Sequence, residues 1–569
     1  MFAVPRLVTD RRADGSVVLR SAEPLATPDP GLAHALRRWA DDTPDAVLAA
    51  EWTASGWRTI TYRQARASAD ALAEALLARG LSASRPLAIL SGNSLRHLLL
   101  TLAGYTAGIP LVPLTPALSR LEGAHGTLLD ILDAVSPGAV FAEHGAIPSG
   151  VSDRVPLTFS VRELDELLAT APTERVERAF ARVGPDTLAK ILFTSGSTGA
   201  PKGVPNTHGM LCSGVRMMTQ VWPFLATTRL VLVDWLPWSH TFGGNHNLHL
   251  VLATGGTLHI DPGGPTPEAF PRSVRSLENA SPNVYFNVPA GFERLAEVLE
   301  ARPEFARRFF AGLRLLFNAG APLAEPVRRR ILAAAQAHAD HPVPFTSSWG
   351  MTETSAGATS AHFATDEPGA IGVPLPGVTV KLAPVDGRYE IRVKGPNVTP
   401  GYLGRPAAEG FDAEGFLCTG DAARLDDAAG GLVFDGRLAE DFKLATGTWV
   451  RVAALRDALL ADAEVLADVV VVGEGRPFVT ALGWLVPDPP PDWRARVAKA
   501  LDGGGGGSGG GGGSSRRVVR LLVLSEPPSL ERGERSAKGT INQRRVLELR
   551  PDAVRRLYRE PADPDVIEV

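Results

Sequence analysis

The chain has 569 residues, of which 44% are hydrophobic and 21% charged, and its formal net charge is −4. This composition is that of a globular protein and excludes a largely disordered chain. The slightly acidic balance lacks the basic footprint of a nucleic-acid-binding protein, so we expect no nucleic-acid partner.

The cysteine count and the N-terminus bear on the cellular compartment. Cys212 and Cys418 are the two cysteines of the chain, and they cannot build a disulfide framework, which indicates a reducing environment. The first residues become charged early and show no long apolar stretch of a secretory signal. The uncharged stretch 98–119 is interrupted by three prolines and is interpreted as buried core. We therefore expect a cytoplasmic protein without membrane contact.

Lysine is rare in this chain. Seven of the 58 basic residues are lysines, at positions 190, 202, 381, 394, 443, 499 and 538. The simplest cause is a genome-wide coding bias, under which arginine fills ordinary solvated positions. A lysine kept against that bias is expected where a compact, flexible ammonium is needed instead of a planar guanidinium.

The first part of the chain alternates helical patterns with short apolar runs. Residues 71–80 and 95–108 predict helices, and 87–93 predicts a buried strand between them. Further strand signals follow at 140–145, 188–196, 230–237 and 313–322. Such alternation predicts an α/β fold with mixed, largely parallel sheets flanked by helices.

The pattern changes after Val373 to short strands and turns, which predict a small β-rich subdomain at about 374–436. Residues 437–569 have an apolar pattern of their own, so we predict an N-terminal domain over 1–436 and a smaller α+β C-terminal domain over 437–569. The Gly/Ser run 503–515 within the latter is typical of a flexible linker. Because a strand-like segment follows it, we expect the linker to replace a loop inside that domain.

A Gly/Ser/Thr-rich decapeptide, Thr194-Ser-Gly-Ser-Thr-Gly-Ala-Pro-Lys-Gly203, directly follows an apolar strand signal. Its backbone N–H groups and hydroxyls suit an anion, and Lys202 adds a point charge. The spacing is not that of a Walker A loop, which excludes a P-loop NTPase. The alternative is a flexible surface loop.

The decapeptide resembles the phosphate loop of the adenylate-forming superfamily, which includes acyl- and aryl-CoA synthetases, luciferases and nonribosomal-peptide adenylation domains. Other motifs of that superfamily follow in the same order, over about residues 190–545. They are Ser348-Trp-Gly-Met-Thr-Glu353, Cys418-Thr-Gly-Asp421, Asp435-Gly-Arg437 and Glu440-Asp-Phe-Lys443 with Gly447.

The resemblance implies a role for each motif. The phosphate loop would bind ATP through Lys202 and through Thr194, Ser195, Gly196, Ser197, Thr198 and Gly199. Glu353 would bind Mg²⁺, a hard cation that prefers carboxylate and phosphate oxygens, and Thr352 would contact the α-phosphate. A capped turn is the alternative for this pair.

The resemblance also implies an adenosine site. Trp349 would stack on adenine, with the turn Gly320, Ala321 and Pro322 as the opposite wall. Asp421 and Arg437 would hydrogen-bond the ribose. The alternatives are a core tryptophan and a surface ion pair.

Three histidines lie close together in sequence. His240 matches the family histidine beside the acyl carboxylate. His246 and His249 have a spacing that puts them on one helical face, as metal ligands or as neighbours. Because no Cys or Glu nearby completes a zinc site, we expect them to pack in the core.

The C-terminal lysine departs from the family pattern, in which Thr-x-x-Gly-Lys is common. Here Lys538 precedes the glycine, and Thr540 stands where lysine is expected. A long side chain on a loop can span this offset, so Lys538 is assigned the adenylation role; an exposed loop lysine is the alternative.

By the same resemblance the C-terminal domain is mobile, with a hinge near Glu440 and with Lys443 and Gly447 on the face used for the thioester step.

A narrower resemblance is to feruloyl-CoA synthetases, through segments 235–246, 286–289, 395–402 and 440–449. It implies ATP, Mg²⁺, coenzyme A and a hydroxycinnamic acid such as ferulate as ligands. Phe286, Val288, Phe292 and Trp238 would form a wall for the ring, and Asn287 or Asn318 would meet its hydroxyl. A fatty acyl-CoA synthetase, an enzyme that loads a carrier protein and a regulator without turnover are the alternatives. The oligomeric state stays open, with a homodimer as one option.

Overall fold

The computed structural model describes residues 1–143, 147–195, 201–367, 369–463, 465–486, 488–502, 515, 517–529, 532–535 and 541–569. Helices and strands alternate as far as residue 338, and strands dominate from 345 to 450. The predicted α/β fold class is therefore confirmed.

The strands, in chain order, are β1 Leu7–Arg11, β2 Val17–Ser21, β3 Val47–Thr53, β4 Gly56–Thr61, β5 Leu87–Leu90, β6 Leu111–Leu114, β7 Ala139–Ala142, β8 Thr158–Phe159, β9 Leu188–Ser195, β10 Pro201–Thr207, β11 Val231–Asp234, β12 Thr257–Ile260, β13 Val284–Asn287, β14 Leu315–Asn318, β15 Phe345–Trp349, β16 Thr359–Ser360, β17 Ala370–Pro374, β18 Thr379–Val385, β19 Arg388–Lys394, β20 Leu417–Asp426, β21 Gly431–Arg437, β22 Phe442–Lys443, β23 Trp449–Val450, β24 Leu466–Val472, β25 Val479–Leu485, β26 Val518–Val523 and β27 Val566–Glu568.

The α-helices are α1 Leu32–Asp42, α2 Tyr62–Ala78, α3 Leu95–Ala107, α4 Ala117–Arg120, α5 His125–Val135, α6 Val161–Leu167, α7 Glu174–Phe180, α8 His208–Val221, α9 Leu248–Thr254, α10 Phe270–Asn279, α11 Pro289–Ala301, α12 Pro303–Ala311, α13 Glu325–His338, α14 Val452–Ala463, α15 Trp493–Asp502, α16 Gln543–Leu549 and α17 Pro551–Leu557. A π-helix spans Phe242–Asn247, and short 3₁₀ turns span Glu122–Ala124, Pro223–Ala226, Thr352–Thr354 and Leu438–Glu440.

Three sheets organise the described residues before position 438. One has eleven strands in the order β1-β2-β18-β19-β20-β21-β17-β16-β15-β14-β13. A six-stranded sheet follows the order β10-β9-β6-β5-β7-β8, and a four-stranded sheet the order β11-β12-β3-β4. The parallel run β13-β14-β15 and the antiparallel pair β9-β10 lead into three of the segments predicted to bind ATP, and the neighbouring strands β20 and β21 contain Asp421 and Arg437.

Local sequence signals set the ends of the helices next to these sheets. Ser94 accepts a hydrogen bond from the backbone of His97 at 3.1 Å and caps α3. At the other end Gly108 adopts the left-handed conformation and ends the helix. Thr207 caps α8 in the same way as Ser94 caps α3, with Met210 as donor at 3.2 Å. Such side-chain caps satisfy backbone N–H groups that have no partner within the helix.

The predicted β-rich subdomain forms part of the largest sheet and does not make a sheet of its own. Strands β18–β21 pair on one side with the N-terminal hairpin β1-β2 and on the other with β17. The hairpin escaped prediction because its pairing with β18 joins residues far apart in sequence. Its Val17 and Leu19 are buried in the core shared by the N-terminal sheets.

The C-terminal segments build a four-stranded sheet in the order β24-β25-β26-β27. Val450, Leu459, Val469, Ala481 and Leu521 belong to a hydrophobic cluster of these segments. Strands β25 and β26 pair in parallel although the glycine-rich run lies between them in sequence. The division of the chain near residue 437 stays a prediction.

The uncharged stretch 98–119 forms most of α3 together with β6 and is largely buried in the core. Over the described ranges, no helix combines the length and apolarity needed to cross a membrane.

Candidate active site

Several predicted site residues lie at strand ends in two sheets. Thr194 near the end of β9 pairs directly with Lys202 at the start of β10. In the parallel run of the eleven-stranded sheet, Gly320 follows β14 and Trp349 ends β15. Ligand sites of α/β folds form beyond the carboxyl ends of parallel strands, so this arrangement suits a binding site.

A tyrosine connects Lys202 to Glu353. The Lys202 ammonium lies 5.1 Å from the ring centroid of Tyr402, and the Tyr402 hydroxyl donates to Glu353 Oε1 at 3.0 Å. The backbone N–H of Thr399 donates to the Glu353 carbonyl at 2.7 Å. The segment 399–402 therefore holds the predicted magnesium ligand close to the predicted phosphate-binding lysine.

Burial and neighbouring groups act in opposite directions on Glu353. Only 6% of this residue is exposed, and burial raises the pKa of its carboxyl group. The Tyr402 hydroxyl and the Lys202 ammonium act against burial, because both favour the charged carboxylate. Such a buried carboxylate is a chemically suitable oxygen donor for a hard divalent cation.

Trp349 and Asp421, predicted to contact different parts of one nucleoside, contact each other. The Trp349 indole Nε1–H donates to Asp421 Oδ2 at 2.9 Å. Arg437 lies across from Asp421 in the β20-β21 pairing, with its Nε 3.5 Å from Asp421 Oδ1. Burial raises the pKa of Asp421, and the Arg437 charge lowers it. The indole and the carboxylate thus fix each other's orientation.

The turn after β14 contains the second group of predicted adenine contacts. Gly320 has a φ of 87°, a left-handed conformation that favours glycine. Asn318 Nδ2 donates to the carbonyl of Ala321 at 2.9 Å and closes the turn, with Pro322 following. The Nδ2 group of Asn318 is therefore already hydrogen-bonded to the backbone.

His240 leads into the π-helix Phe242–Asn247. Its Nδ1 accepts from the backbone N–H of Phe242 at 3.1 Å, and its carbonyl accepts from Gly244 at 2.8 Å. The first bond orients the imidazole, and the second ties the His240 backbone to the π-helix. Bulges of the π type are frequent at functional sites.

Five aromatic side chains pack against one another, and two of them lie on the π-helix. The rings of Phe242, Phe286 and Phe317 lie 5.2–6.1 Å apart by centroid. His246 stacks on Phe317 at 5.5 Å, and Trp222 stacks on Phe286 at 6.1 Å. We call these five residues the aromatic cluster. Phe317 is three residues before Gly320, so the cluster lies next to the predicted nucleotide site.

The predicted ring wall is only partly assembled. Phe286 belongs to the aromatic cluster, but Phe292 packs on Tyr285 and Phe345 in a separate hydrophobic cluster. Trp238 packs on His97 at 5.1 Å and belongs to the same large hydrophobic cluster as Phe286. Phe292 therefore lies apart from Phe286, because spacing along the chain does not reveal which side of an element a side chain occupies. The role of Trp238 stays a prediction.

Asn287 is also unsuited to the predicted contact with a ring hydroxyl. Its Nδ2 donates to the Tyr285 hydroxyl at 2.7 Å, and its Oδ1 accepts from the Val288 backbone at 2.9 Å. Asn287 is fully buried and its amide supports the turn into α11.

His246 and His249 pack in the core, as expected. His249 Nε2 lies 2.8 Å from the Tyr105 hydroxyl. His246 Nδ1 lies 2.9 Å from Asn247 Oδ1, and Asn247 Nδ2 donates to Asp234 Oδ2 at 3.0 Å. Because Asn247 Oδ1 can only accept, the proton of neutral His246 resides on Nδ1. Its Nε2 is then an acceptor, buried and without a partner within the described residues.

The predicted hinge lies in a 3₁₀ turn beside an ion-pair network. Burial raises the pKa of Glu440, and Arg437 lowers it. The next residue, Asp441, pairs with Arg388 on β19 and accepts from the Val452 backbone at 3.0 Å. Asp441 therefore ties the start of α14 to the eleven-stranded sheet.

The residues predicted for the thioester step lie on a small hairpin. Lys443 on β22 places its ammonium 4.8 Å from the ring centroid of Trp449 on β23. Gly447 lies in the connecting turn, where its N–H donates to the Leu444 carbonyl at 2.9 Å. Lys443 is exposed, so its charge is available at the surface of this hairpin.

Six predicted features lie outside the described residues: Gly196, Ser197, Thr198, Gly199, Lys538 and the side chain of Ser195. Arg535, three residues before Lys538, is among the described residues. Burial raises the pKa of Glu293 on α11, and the charge of Arg535 lowers it. The chain that leads to Lys538 thus approaches a helix that follows β13.

Comparison with known proteins agrees with this geometry. The chain is 30% identical over 390 residues to a feruloyl-CoA synthase of Amycolatopsis, a match that covers 65% of this chain and 72% of that protein. It is 26% identical over 515 residues to the long-chain-fatty-acid–CoA ligase FadD15 of Mycobacterium bovis, covering 80% and 82%.

A solved structure, ATP-bound MatB from Rhodopseudomonas palustris, superposes with a TM-score of 0.74 and 25% identity, covering 91% of this chain and 99% of that one. The family described as AMP-binding enzyme matches residues 36–403. With these matches and the motifs assembled as described above, the chain belongs to the AMP-binding enzyme family.

Proposed function

We propose that this protein is an AMP-forming ligase that joins a carboxylic acid to coenzyme A through an acyl-adenylate, with hydroxycinnamic acids such as ferulate as its substrates. The observation that carries the proposal is the Lys202–Tyr402–Glu353 arrangement beside Thr194. It brings a cation and a magnesium-compatible carboxylate to the end of the strand that leads into the phosphate loop.

The chemical problem is that a carboxylate is a poor electrophile. Its negative charge repels nucleophiles, and oxide is a poor leaving group. In the proposed first step a carboxylate oxygen of the acid attacks the α-phosphorus of ATP. The new oxygen–phosphorus bond gives the mixed anhydride, and pyrophosphate leaves. The protein's task is to align the two reactants and to neutralise the charge that develops.

Four side chains are proposed to perform this step. Lys202 neutralises the phosphate tail, and Thr352 hydrogen-bonds the α-phosphate. Lys538 approaches the carboxylate and the α-phosphate in the adenylating arrangement. Glu353 would hold Mg²⁺, which when bound supplies positive charge to the phosphate oxygens.

The adenosine part would be held by the side chains described above. Trp349, fixed by Asp421, presents an aromatic face to adenine opposite the Gly320 turn. Asp421 Oδ1 and the exposed Arg437 guanidinium would bond the ribose hydroxyls. In the second step the thiolate of coenzyme A attacks the acyl carbon and AMP leaves, with Lys443 and Gly447 on the face then turned to the site.

The aromatic cluster and His246 support an aromatic acid. Burial lowers the pKa of His246 to about 4, so the imidazole is neutral at physiological pH. With its proton fixed on Nδ1, the buried Nε2 is an acceptor that suits a phenolic O–H donor. A planar hydroxylated ring seated at this cluster would supply that donor, as a hydroxycinnamate does and a fatty acid does not.

The 30% identity to feruloyl-CoA synthase supports the same substrate class. The fatty-acid ligase at 26% identity favours a fatty acid as the second candidate. An enzyme that loads a carrier protein is the third candidate, since the chain is 27% identical over 488 residues to a nonribosomal peptide synthetase of Salinispora arenicola. All three share the adenylating step and differ in the acid or the acceptor.

A substrate panel tests the proposal. Ferulate, caffeate, p-coumarate, cinnamate, acetate, octanoate and palmitate are each assayed with ATP and free coenzyme A for thioester formation. We expect the three hydroxylated acids to give the highest kcat/KM. A higher value for octanoate or palmitate would contradict the aromatic assignment, and acyl transfer to a carrier domain but not to free coenzyme A would favour the third candidate.

His246→Leu sharpens the test. In the wild type the unpaired Nε2 should favour p-coumarate over cinnamate, because leaving a buried acceptor unpaired costs more than losing apolar contact. The variant should lose most of this preference while it still accepts cinnamate. An unchanged ratio of the two kcat/KM values would exclude His246 as the group that binds the hydroxyl.

A further inference from the structure

Lys190 is a buried lysine that the proposed function does not use. It lies on β9, four residues before Thr194, and only 1% of it is exposed. No carboxylate of the described residues forms an ion pair with it, and burial lowers the pKa of its amine to about 7. A buried amine without an acid partner is costly, so its retention in a lysine-poor chain requires an explanation.

The amine of Lys190 contacts the π-helix. Its Nζ donates to the carbonyl of Gly244 at 3.0 Å. A Cβ on Gly243 would lie 2.3 Å from the Leu236 carbonyl oxygen, and one on Gly244 would lie 2.3 Å from that of Trp238. The π-helix is thus in close contact with residues 236–238. Lys190, on β9 of the six-stranded sheet, donates a hydrogen bond to it.

The surroundings of Lys190 are polar but uncharged. On α3, the Tyr105 ring centroid lies 5.8 Å from Nζ, and the buried His97 is close enough for the Lys190 charge to lower its pKa. His208 on α8 and His249 on α9 have their pKa values lowered by burial and by Lys190. The neighbours of the amine are thus neutral imidazoles and a phenol. None of them is a charged group that would replace the Gly244 carbonyl as the partner of Lys190.

We propose that Lys190 is a positioning residue for adenylation: its bond to Gly244 fixes the π-helix, and with it His240 and Phe242, relative to Thr194 near the end of β9. The inference rests on the proposed function, because it concerns the alignment of the acid with the α-phosphate of ATP. One side chain connects the strand that leads to the phosphate loop with the turn that carries the acid-facing residues. Small displacements of reactants have large kinetic effects, which makes such a connection consequential.

The test compares Lys190→Met, which keeps the length of the side chain but cannot donate, with Lys190→Gln, which keeps an N–H donor without the charge. Lys499→Met, at an exposed lysine of α15, is the control. Initial rates are measured for acid-dependent pyrophosphate exchange with ferulate and ATP varied separately, together with the urea midpoint of unfolding.

We expect Lys190→Met to lower kcat/KM for the acid by about 10- to 100-fold, with KM for ATP little changed and the unfolding midpoint unchanged or raised. Lys190→Gln should recover part of the loss. Wild-type kinetics for Lys190→Met, or equal losses for both variants together with a lowered midpoint, would overturn the inference.

The wild-type protein separates this inference from the proposed function. If it shows no exchange with any acid, the proposed function fails. If it exchanges with ferulate and Lys190→Met does so equally well, the proposed function stands and only the role of Lys190 is rejected.

Discussion

At the scale of single residues, Lys202 is the most direct probe of the phosphate loop. Lys202→Ala removes a charge directed at the phosphate tail. Charge-assisted hydrogen bonds contribute about 1.5–3 kcal/mol, so kcat/KM for ATP should fall by about 10- to 150-fold. Steady-state rates at varied ATP measure this, with Lys499→Ala as an exposed control. Unchanged ATP kinetics would mean that the loop binds something else.

Tyr402 offers a pH-dependent test of Glu353. The carboxylate form of Glu353 is needed to hold the divalent cation, and it is lost as the pH falls through a pKa that burial has already raised. Tyr402→Phe removes a hydrogen bond that lowers this pKa. The acid limb of the pH profile of kcat/KM for Mg–ATP should therefore move to higher pH.

Tyr389→Phe, at a tyrosine that is 36% exposed, is the matched control for this variant and should leave the profile in place. A Tyr402→Phe profile that coincides with the wild type, or one whose acid limb moves to lower pH, would contradict the assigned contact.

The residue scale also shows the limits of sequence reasoning at the site. Lys202, Glu353, Trp349 and Asp421 could be predicted because each lies in a short motif with recognisable chemistry. The contacts of Tyr402 do not follow from its local sequence, because its partners Glu353 and Lys202 are 49 and 200 positions away. Its signal was an aromatic residue in a Gly- and Pro-rich turn, which alone does not name a partner.

At the scale of elements, the π-helix makes a local prediction about stability. A Cβ on Gly244 would lie 2.3 Å from a backbone oxygen, whereas the nearest atom to a Cβ on Gly214 of α8 is 3.9 Å away. Gly244→Ala should therefore lower the free energy of unfolding by about 1–3 kcal/mol through overpacking. Gly214→Ala should raise it by about 0.5–1 kcal/mol, since alanine is less flexible in the unfolded chain.

Urea unfolding of the two variants beside the wild type measures both effects. An unchanged or raised free energy of unfolding for Gly244→Ala would show that the π-helix relaxes away from residues 236–238 without cost.

Element types followed from periodicity, but sheet membership did not. The helix expected at 71–80 is the second half of α2, and the strand expected at 230–237 is shortened to β11. Hydrophobic alternation identifies each element from its own residues. The joining of β1-β2 to β18, and the position of Phe292 in another cluster, depend on pairings between distant segments that local patterns do not encode.

At the scale of the whole molecule, the proposed two-step reaction assigns Lys538 to the first step only. Lys538→Ala should nearly abolish formation of the acyl-adenylate and leave thioester formation from a supplied acyl-adenylate largely intact. Separate assays of the two half-reactions measure this. Equal damage to both would indicate misfolding or a different adenylating lysine, with Lys443 as the next variant to examine.

The connection between the two parts of the chain is also visible at this scale. Asp441 follows the predicted hinge residue Glu440 and is bonded by Arg388 from β19 and by Arg451, the latter at 3.1 Å. These pairs fix one arrangement of α14 against the eleven-stranded sheet. Arg388 lies before the predicted hinge and Arg451 after it, so a rotation about Glu440 would break the pair with Arg388 and leave the pair with Arg451 in place. The hinge prediction therefore implies that another group replaces Arg388 beside Asp441 after the rotation.

The central claim is that an acid is activated by transfer to the AMP moiety of ATP. Acid-dependent exchange of labelled pyrophosphate into ATP, measured without coenzyme A and with ferulate as the acid, tests it most directly. The account predicts exchange that requires both ferulate and Mg²⁺ and that yields AMP and a thioester once coenzyme A is added. Release of ADP and phosphate, or an absence of exchange with every acid of the panel, would contradict it.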